Sequence, residues 1–248
     1  MFFWDGTIVL MIPALLFAIY AQWKVKSAFA RYSQVRSHSG LTGAQVAQEL
    51  LRRAHFAGGV DSADVRAAQS AEARLAAVRV QMGEGTLTDH YDPRTKVLSL
   101  SPPVYGSNSL AALGVAAHET GHALQHATGY APLGIRSSLV PAAQVGSTLA
   151  WPLFFGGLIF AKSGLGILMD IGIWLYVAAV IFTLVTLPVE FNASRRAVQL
   201  LQSEGFVDSS EVAGTKAVLN AAAMTYVAAA AMAIMTLIRL LILRDSRD

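Results

Sequence analysis

LAALGVAAHETGHALQHA, residues Leu110 to Ala127, is the stretch on which the reading of the whole chain turns. It is a proline-free run of Ala, Leu and Val. The cluster Ser107, Asn108 and Ser109 stands before it, where an N-cap belongs, and Gly129 stands behind it, where a closing glycine belongs. One helix is therefore expected over Leu110–Ala127. Inside it, His118, Glu119 and His122 spell H-E-x-x-H. Residues four apart share a helix face about one turn from each other, so two imidazole nitrogens can aim at one ion with a carboxylate beside them. Zinc takes neutral nitrogen or anionic oxygen ligands in a near-tetrahedral shell, and a catalytic site leaves one position to water. His118 and His122 are thus candidate metal ligands and Glu119 a candidate general base. The bland alternative is a surface helix with two solvated histidines. Gly121 speaks against it: glycine costs about 1 kcal/mol of helix propensity relative to alanine, which suggests that something must approach closely there.

The surroundings of that helix are those of a membrane protein. Of 248 residues, 54% are hydrophobic and 14% charged, too apolar for an ordinary soluble domain. The formal charge is +3, with the bases scattered or beside apolar runs; this points to a lipid bilayer as partner and away from nucleic acid. There is no cysteine, so disulfides and thiolate zinc sites are excluded and any metal must be held by His, Asp or Glu.

Ile8 to Trp23 is nearly free of charge and, extended back to Phe2 past Asp5, reaches the roughly 20 residues that cross a bilayer. The bases Lys24, Lys26 and Arg31 follow the run instead of preceding it, so it reads as an uncleaved anchor and not as a signal peptide. From Lys24 the composition becomes that of a soluble domain. Thr42 to Ala57 is expected to form an amphipathic helix stopped by Gly58 and Gly59, and Ala63 to Ala77 a surface helix. Val78–Gln81 and Val97–Ser101 are expected as short strands, with a turn at Tyr91, Asp92 and Pro93 and His90 beside it. Leu139–Ala161 and Gly164–Leu187 form a transmembrane hairpin, with Asp170 near the start of the second span. Pro188 is expected to end that span, Val189–Gln202 to form a separate amphipathic helix, and Ala221–Leu243 to be a fourth span interrupted by Arg239. The fold class is a mainly α membrane protein: four apolar spans, with a zincin-like α+β soluble domain between the first and second. The expected segments are an anchor (1–23), the soluble domain (24–137), the hairpin (138–187), the amphipathic region (188–220) and the last span with its basic tail (221–248).

Two histidines from one helix need a third protein ligand. His126 continues the spacing, but it lies about 12 Å from His118 along the axis, too far for one ion to serve both. His90 is better read as a surface histidine. Glu190 remains, in VEFNASRR directly after the third span. Two crossings separate it from the motif helix, an even number, so both return to the same side of the membrane. The alternative role for Glu190 is a negative charge at a helix N-terminus.

The strings LTDHYDPRTKVLSLSPPVY, AALGVAAHETGHALQHA and TLPVEFNASRRA, with SGLTGAQVA near residue 40, resemble the YugP-type neutral zinc metallopeptidases of bacterial membranes. More distantly, the arrangement resembles HtpX-like membrane metallopeptidases, in which a glutamate ligand follows a transmembrane hairpin. There an aspartate four residues after the glutamate supports a ligating histidine; here that position is Ser194, with Asn192 between. Asp89 and Asp92 are the replacement candidates. The resemblance implies a fold and a reaction class, and no particular substrate.

The expected activity is that of a membrane-bound zinc metalloendopeptidase, with a site at the membrane surface and a protein or peptide substrate. Zn2+ held by His118, His122 and Glu190 would activate a water, and Glu119 would accept its proton. Tyr105, Tyr130 and Arg195 are the candidates for a donor to the oxyanion. Val97–Ser101, as an edge strand, would pair with an extended substrate. Two alternatives are a site-2-type intramembrane protease with the motif helix itself in the membrane, for whose aspartate-glycine ligand motif Asp170-Ile171-Gly172 is a poor substitute, and a membrane scaffold whose zinc only staples the cytoplasmic domain to the hairpin. The expected location is the bacterial inner (plasma) membrane with the catalytic domain cytoplasmic. Four spans then leave Arg244 and Arg247 outside, unless the last run is re-entrant.

Overall fold

A computed structural model describes residues 6–53 and 62–246. Among them are the helices α1 (Ile8–Tyr32), α2 (Gly43–Arg53), α3 (Ser62–Ala76), α4 (Pro102–Tyr105), α5 (Leu110–Ala127), α6 (Ala131–Phe160), α7 (Ile167–Ser203) and α8 (Val212–Asp245). The strands are β1 (Arg79–Met82), β2 (His90–Asp92) and β3 (Val97–Leu100). The chain is a mainly α, membrane-type protein: α1, α6, α7 and α8 are long and apolar enough to cross a bilayer. The extension of the first span to Phe2, the end of the helix expected over Thr42–Ala57 with its glycines, and Arg247 lie outside the described residues.

The chain divides into two compact units. One comprises Met1–Trp23, Gly134–Pro188 and Met224–Asp248; the other comprises Lys24–Leu133 and Val189–Ala223. In the first, Phe154, Leu158, Met169, Ile173 and Leu240 form the interior. A Cβ on Gly172 would stand 2.7 Å from the Ala150 carbonyl oxygen, so α6 and α7 touch backbone to backbone. Large apolar side chains point outward instead of inward, Trp174 being 74% exposed, which suits a lipid solvent. Asp170 meets Arg244 at 3.2 Å, and Arg239 donates to the Thr7 hydroxyl at 3.1 Å. The starts of α1 and α7 and the end of α8 therefore lie together. The last apolar run belongs to a single 34-residue helix.

In the second unit α5 is the central post. Its small side chains let neighbours close in on nearly every side. Leu98 and Leu100 of the sheet, Leu51 of α2 and Leu75 of α3 share one cluster with Ala112 and Ala116 of α5. Val46 and Leu50 share another with Leu113 of α5 and with Ala197 and Leu201 of α7.

Two expectations are corrected. The sheet order is β1-β3-β2, with β1 parallel and β2 antiparallel to β3. β3 is therefore the middle strand; both its hydrogen-bonding edges are taken, and it cannot receive a substrate strand. Tyr91 and Asp92, expected in a turn with His90 beside it, instead form with His90 the strand that covers one edge of β3. Pro188, expected to end the third span, sits inside α7, which runs unbroken to Ser203. A proline removes one backbone hydrogen bond and crowds the carbonyl four residues earlier, a local defect that apolar helices tolerate when their neighbours compensate.

Candidate metal centre

Both ends of α5 are closed as its sequence demands. The Ser109 hydroxyl accepts from the Ala112 amide at 3.2 Å. Beyond the other end Gly129 adopts φ +63°, and the Tyr130 amide donates to the Gln125 carbonyl at 2.9 Å. This fixes the phase of the helix, and with it the face on which His118 and His122 stand. Their rings meet edge to face with centroids 4.8 Å apart. Glu190 comes from α7, 72 residues beyond His118. Its Oε2 lies 3.2 Å from His118 Nε2 and 3.6 Å from His122 Nε2. One ligand atom from each of the three lies within 4.8 Å of the others.

The approach of α7 depends on Gly121. A Cβ there would lie 2.8 Å from the Ala193 carbonyl oxygen and 3.2 Å from its Cα, so the glycine inside the motif is the point where the two helix backbones meet. Glu190 stands one turn earlier on α7 and is 2% exposed. Burial pulls the His122 imidazole down, but Glu190, Glu119 and Gln125 outweigh it and leave the ring above its ordinary value. Glu119 is itself buried. The residues present fit zinc: two imidazole nitrogens and one carboxylate oxygen converge in an anionic, largely water-excluded place, with no thiolate needed.

The other sequence candidates stand elsewhere. His126 Nδ1 shares a hydrogen bond of 2.9 Å with the Tyr91 hydroxyl. His90 is exposed, its Nδ1 2.8 Å from the Thr88 carbonyl. Asp170, in the other unit, is paired with Arg244. Asp89 and Asp92 do not replace the supporting aspartate. Asp89 is occupied by the amide and hydroxyl of Ser101, and Asp92 caps the turn through the Arg94 amide and the Thr95 hydroxyl. Support comes instead from Ser194 itself and from Gln125, which the sequence did not mark out. Ser194 Oγ lies 3.1 Å from His118 Nδ1, and Gln125 Oε1 lies 3.0 Å from His122 Nδ1. The available signal was a glutamine in an otherwise apolar helix, three residues after a ligand candidate. Of the oxyanion candidates, Arg195 is exposed, Tyr105 packs against the core, and the Tyr130 ring lies under the Arg196 guanidinium at 6.0 Å. A second grouping, His38 with Asp208 and Glu211, is largely exposed; Glu211 there accepts from the His38 amide and meets its ring at 2.7 Å.

A helix-borne H-E-x-x-H with a glutamate from a distant helix beside it, in a chain with four membrane-length helices among the described residues, offers the donor set that zinc takes. The chain belongs to the family described as "Putative neutral zinc metallopeptidase", whose model matches residues 7–63 and 57–245. It is 44% identical over 242 residues, 97% of this chain and 98% of the relative, to a Bacillus subtilis (strain 168) protein named "Putative membrane protease YugP". No solved structure matches. Membership makes the chain a zinc-dependent peptide hydrolase, with Zn2+ as cofactor and peptides as the substrate class. Four long apolar helices among the described residues make it a membrane protein.

Proposed function

We propose that the chain is a membrane-bound zinc endopeptidase in which His118, His122 and Glu190 hold the metal and Glu119 is the general base. The observation that carries this reading is the convergence of Glu190, from α7, on two imidazole nitrogens of α5. Zinc, when bound, supplies a Lewis acid that polarises the peptide carbonyl and lowers the pKa of water. His118 and His122 offer neutral nitrogen, and Glu190 the anionic oxygen that offsets part of the metal charge. Glu119 adjoins His118 in the chain and carries a buried carboxylate, suited to taking a proton from the attacking water and passing it to the leaving amine. Glu190 lies three residues beyond Leu187 on an unbroken helix, where the apolar run gives way to VEFNASRR, which supports reading the site as one at the membrane surface. A retained base supports a catalytic over a stapling role, since a structural zinc site needs none. The ion pair of Asp170 with Arg244 speaks against Asp170 as a ligand in the site-2 manner.

The test is zinc content and peptidase activity of the purified full-length protein. Glu190→Ala is expected to lose the metal, and undiminished zinc would reject it as a ligand. Glu119→Gln is expected to keep zinc and lose about 100- to 10,000-fold in turnover. Wild-type turnover of a model peptide would sink the base assignment.

A further inference from the structure

We infer that Gln125, Asn192 and Arg196 form a positioning relay that decides which nitrogen of His122 faces the metal; this rests on the reading of His118, His122 and Glu190 as the zinc ligands. The argument is one of donors and acceptors, starting from groups that have no choice. The Arg196 Nε–H can only donate, and it donates to Asn192 Oδ1 at 2.9 Å. The Val189 carbonyl can only accept. Gln125 reaches both acceptors with the same nitrogen, its Nε2 donating to Val189 O at 2.8 Å and to Asn192 Oδ1 at 3.0 Å. The two amide protons are thereby used. The Gln125 oxygen, which only accepts, is left facing His122 Nδ1 at 3.0 Å. In the neutral ring Nδ1 must carry the proton, and the lone pair is on Nε2, the atom 3.6 Å from Glu190 Oε2.

Reversing the Gln125 amide would set its oxygen against two other oxygens, the Val189 carbonyl and Asn192 Oδ1. Gln125 is fully buried, so no water is at hand to repair that. The relay therefore gives one answer. His118 lacks such a device: its Nδ1 partner is the Ser194 hydroxyl at 3.1 Å, a group able to donate or accept. An amide also orients the ring without adding negative charge, unlike the carboxylate that often supports a ligating histidine. Asn192, Arg196 and the Val189 carbonyl are on α7 with Glu190, so the contacts that set the ring also hold α5 against the helix that brings the third ligand.

The experiment uses the full-length protein in detergent. Zinc affinity is measured by competition with a chromophoric chelator, the site geometry by the visible absorption of the cobalt(II)-substituted protein, and folding by the thermal midpoint of the metal-free protein. Gln125→Met keeps the length and removes the hydrogen bonds; Asn192→Leu removes the acceptor that orients Gln125; Asn192→Asp keeps it for both donors. Gln125→Met and Asn192→Leu are expected to bind zinc about 10- to 100-fold more weakly with an altered cobalt spectrum, while Asn192→Asp stays near wild type. Wild-type affinity and spectrum in Gln125→Met and Asn192→Leu would overturn the relay, as would losses that follow the metal-free midpoint and do not separate Asn192→Leu from Asn192→Asp. If Gln125→Met does not fold, the Asn192 pair decides alone. His122→Ala separates the two levels: zinc bound as tightly as in wild type would fail the ligand reading itself, whereas its loss beside an unaffected Asn192→Leu fails only the relay.

Discussion

His118 and His122 turn their Nε2 atoms toward Glu190, while His126, one further step of four along the same helix, is engaged by Tyr91. The axial rise of a helix explains the division, and it is the part of the site that was plain in the sequence. Glu190 was reachable too, because counting membrane crossings is a statement about chain connectivity. Gln125 and Ser194 were not, because a hydrogen bond between α5 and α7 depends on the rotation of both helices, which spacing alone does not fix. The Tyr91–His126 pair carries a pH prediction. Burial, with help from Asp92, pushes the Tyr91 phenol up to about 12, so it stays neutral throughout the working range. Burial and the charges of Arg74 and Lys96 hold His126 below its ordinary value of 6.5. The unfolded chain thus binds the His126 proton first as pH falls. The stability this histidine contributes is present above 6.5 and is lost on acidification from 6.5 toward the lower folded value. The thermal midpoint should therefore fall between about pH 7.5 and 5.5, and His126→Gln should flatten part of that fall. Identical pH slopes in the two proteins would refute it.

Between elements, the contact that matters most is α5 on α7 at Gly121. Replacing this glycine with alanine gains about 1 kcal/mol of helix propensity. The new Cβ, however, meets the Ala193 backbone at 2.8 Å, and backbone in the middle of a helix cannot swing aside. Overpacking of this kind costs about 1–3 kcal/mol, so the collision is expected to win. Gly121→Ala should lower the thermal midpoint and weaken zinc binding, because Glu190 rides on the helix being pushed away. Gly134 lies in α6 with nothing within 4 Å of its would-be Cβ, and Gly134→Ala should leave the midpoint unchanged or raise it. A Gly121→Ala protein with wild-type zinc affinity would show that the close approach is incidental. The motif hinted at this contact through its glycine, and the limits of α5 were readable because cap and closing glycine are local chemistry. β2 and the continuity of α7 were not readable. A three-residue strand has too few positions to show alternation, and a proline announces a helix end far more often than it lies within one.

On the scale of the whole chain, the open question is which way the apolar helices run. Lys24, Lys26 and Arg31 follow the first apolar run, Arg136 precedes the second, and Arg195, Arg196 and Lys216 lie between the third and fourth. The starts of α1 and α7 and the end of α8, gathered by the Arg239–Thr7 and Arg244–Asp170 contacts, bring Lys162 in the α6–α7 connection, Arg239 and Arg244, with Arg247 following in the sequence. Arg244 is paired with Asp170 and Asp245. From this bias we propose a cytoplasmic catalytic portion, with the α6–α7 connection and the C-terminus on the other side of the membrane. Because the chain has no cysteine, single substitutions report this cleanly. In intact cells, a membrane-impermeant maleimide should label Ser163→Cys and Ser246→Cys and leave Ser39→Cys unmodified until the membrane is opened. Labelling of Ser39→Cys with protection of the other two would reverse the orientation, and labelling of Ser163→Cys without Ser246→Cys would mean that the last helix does not cross.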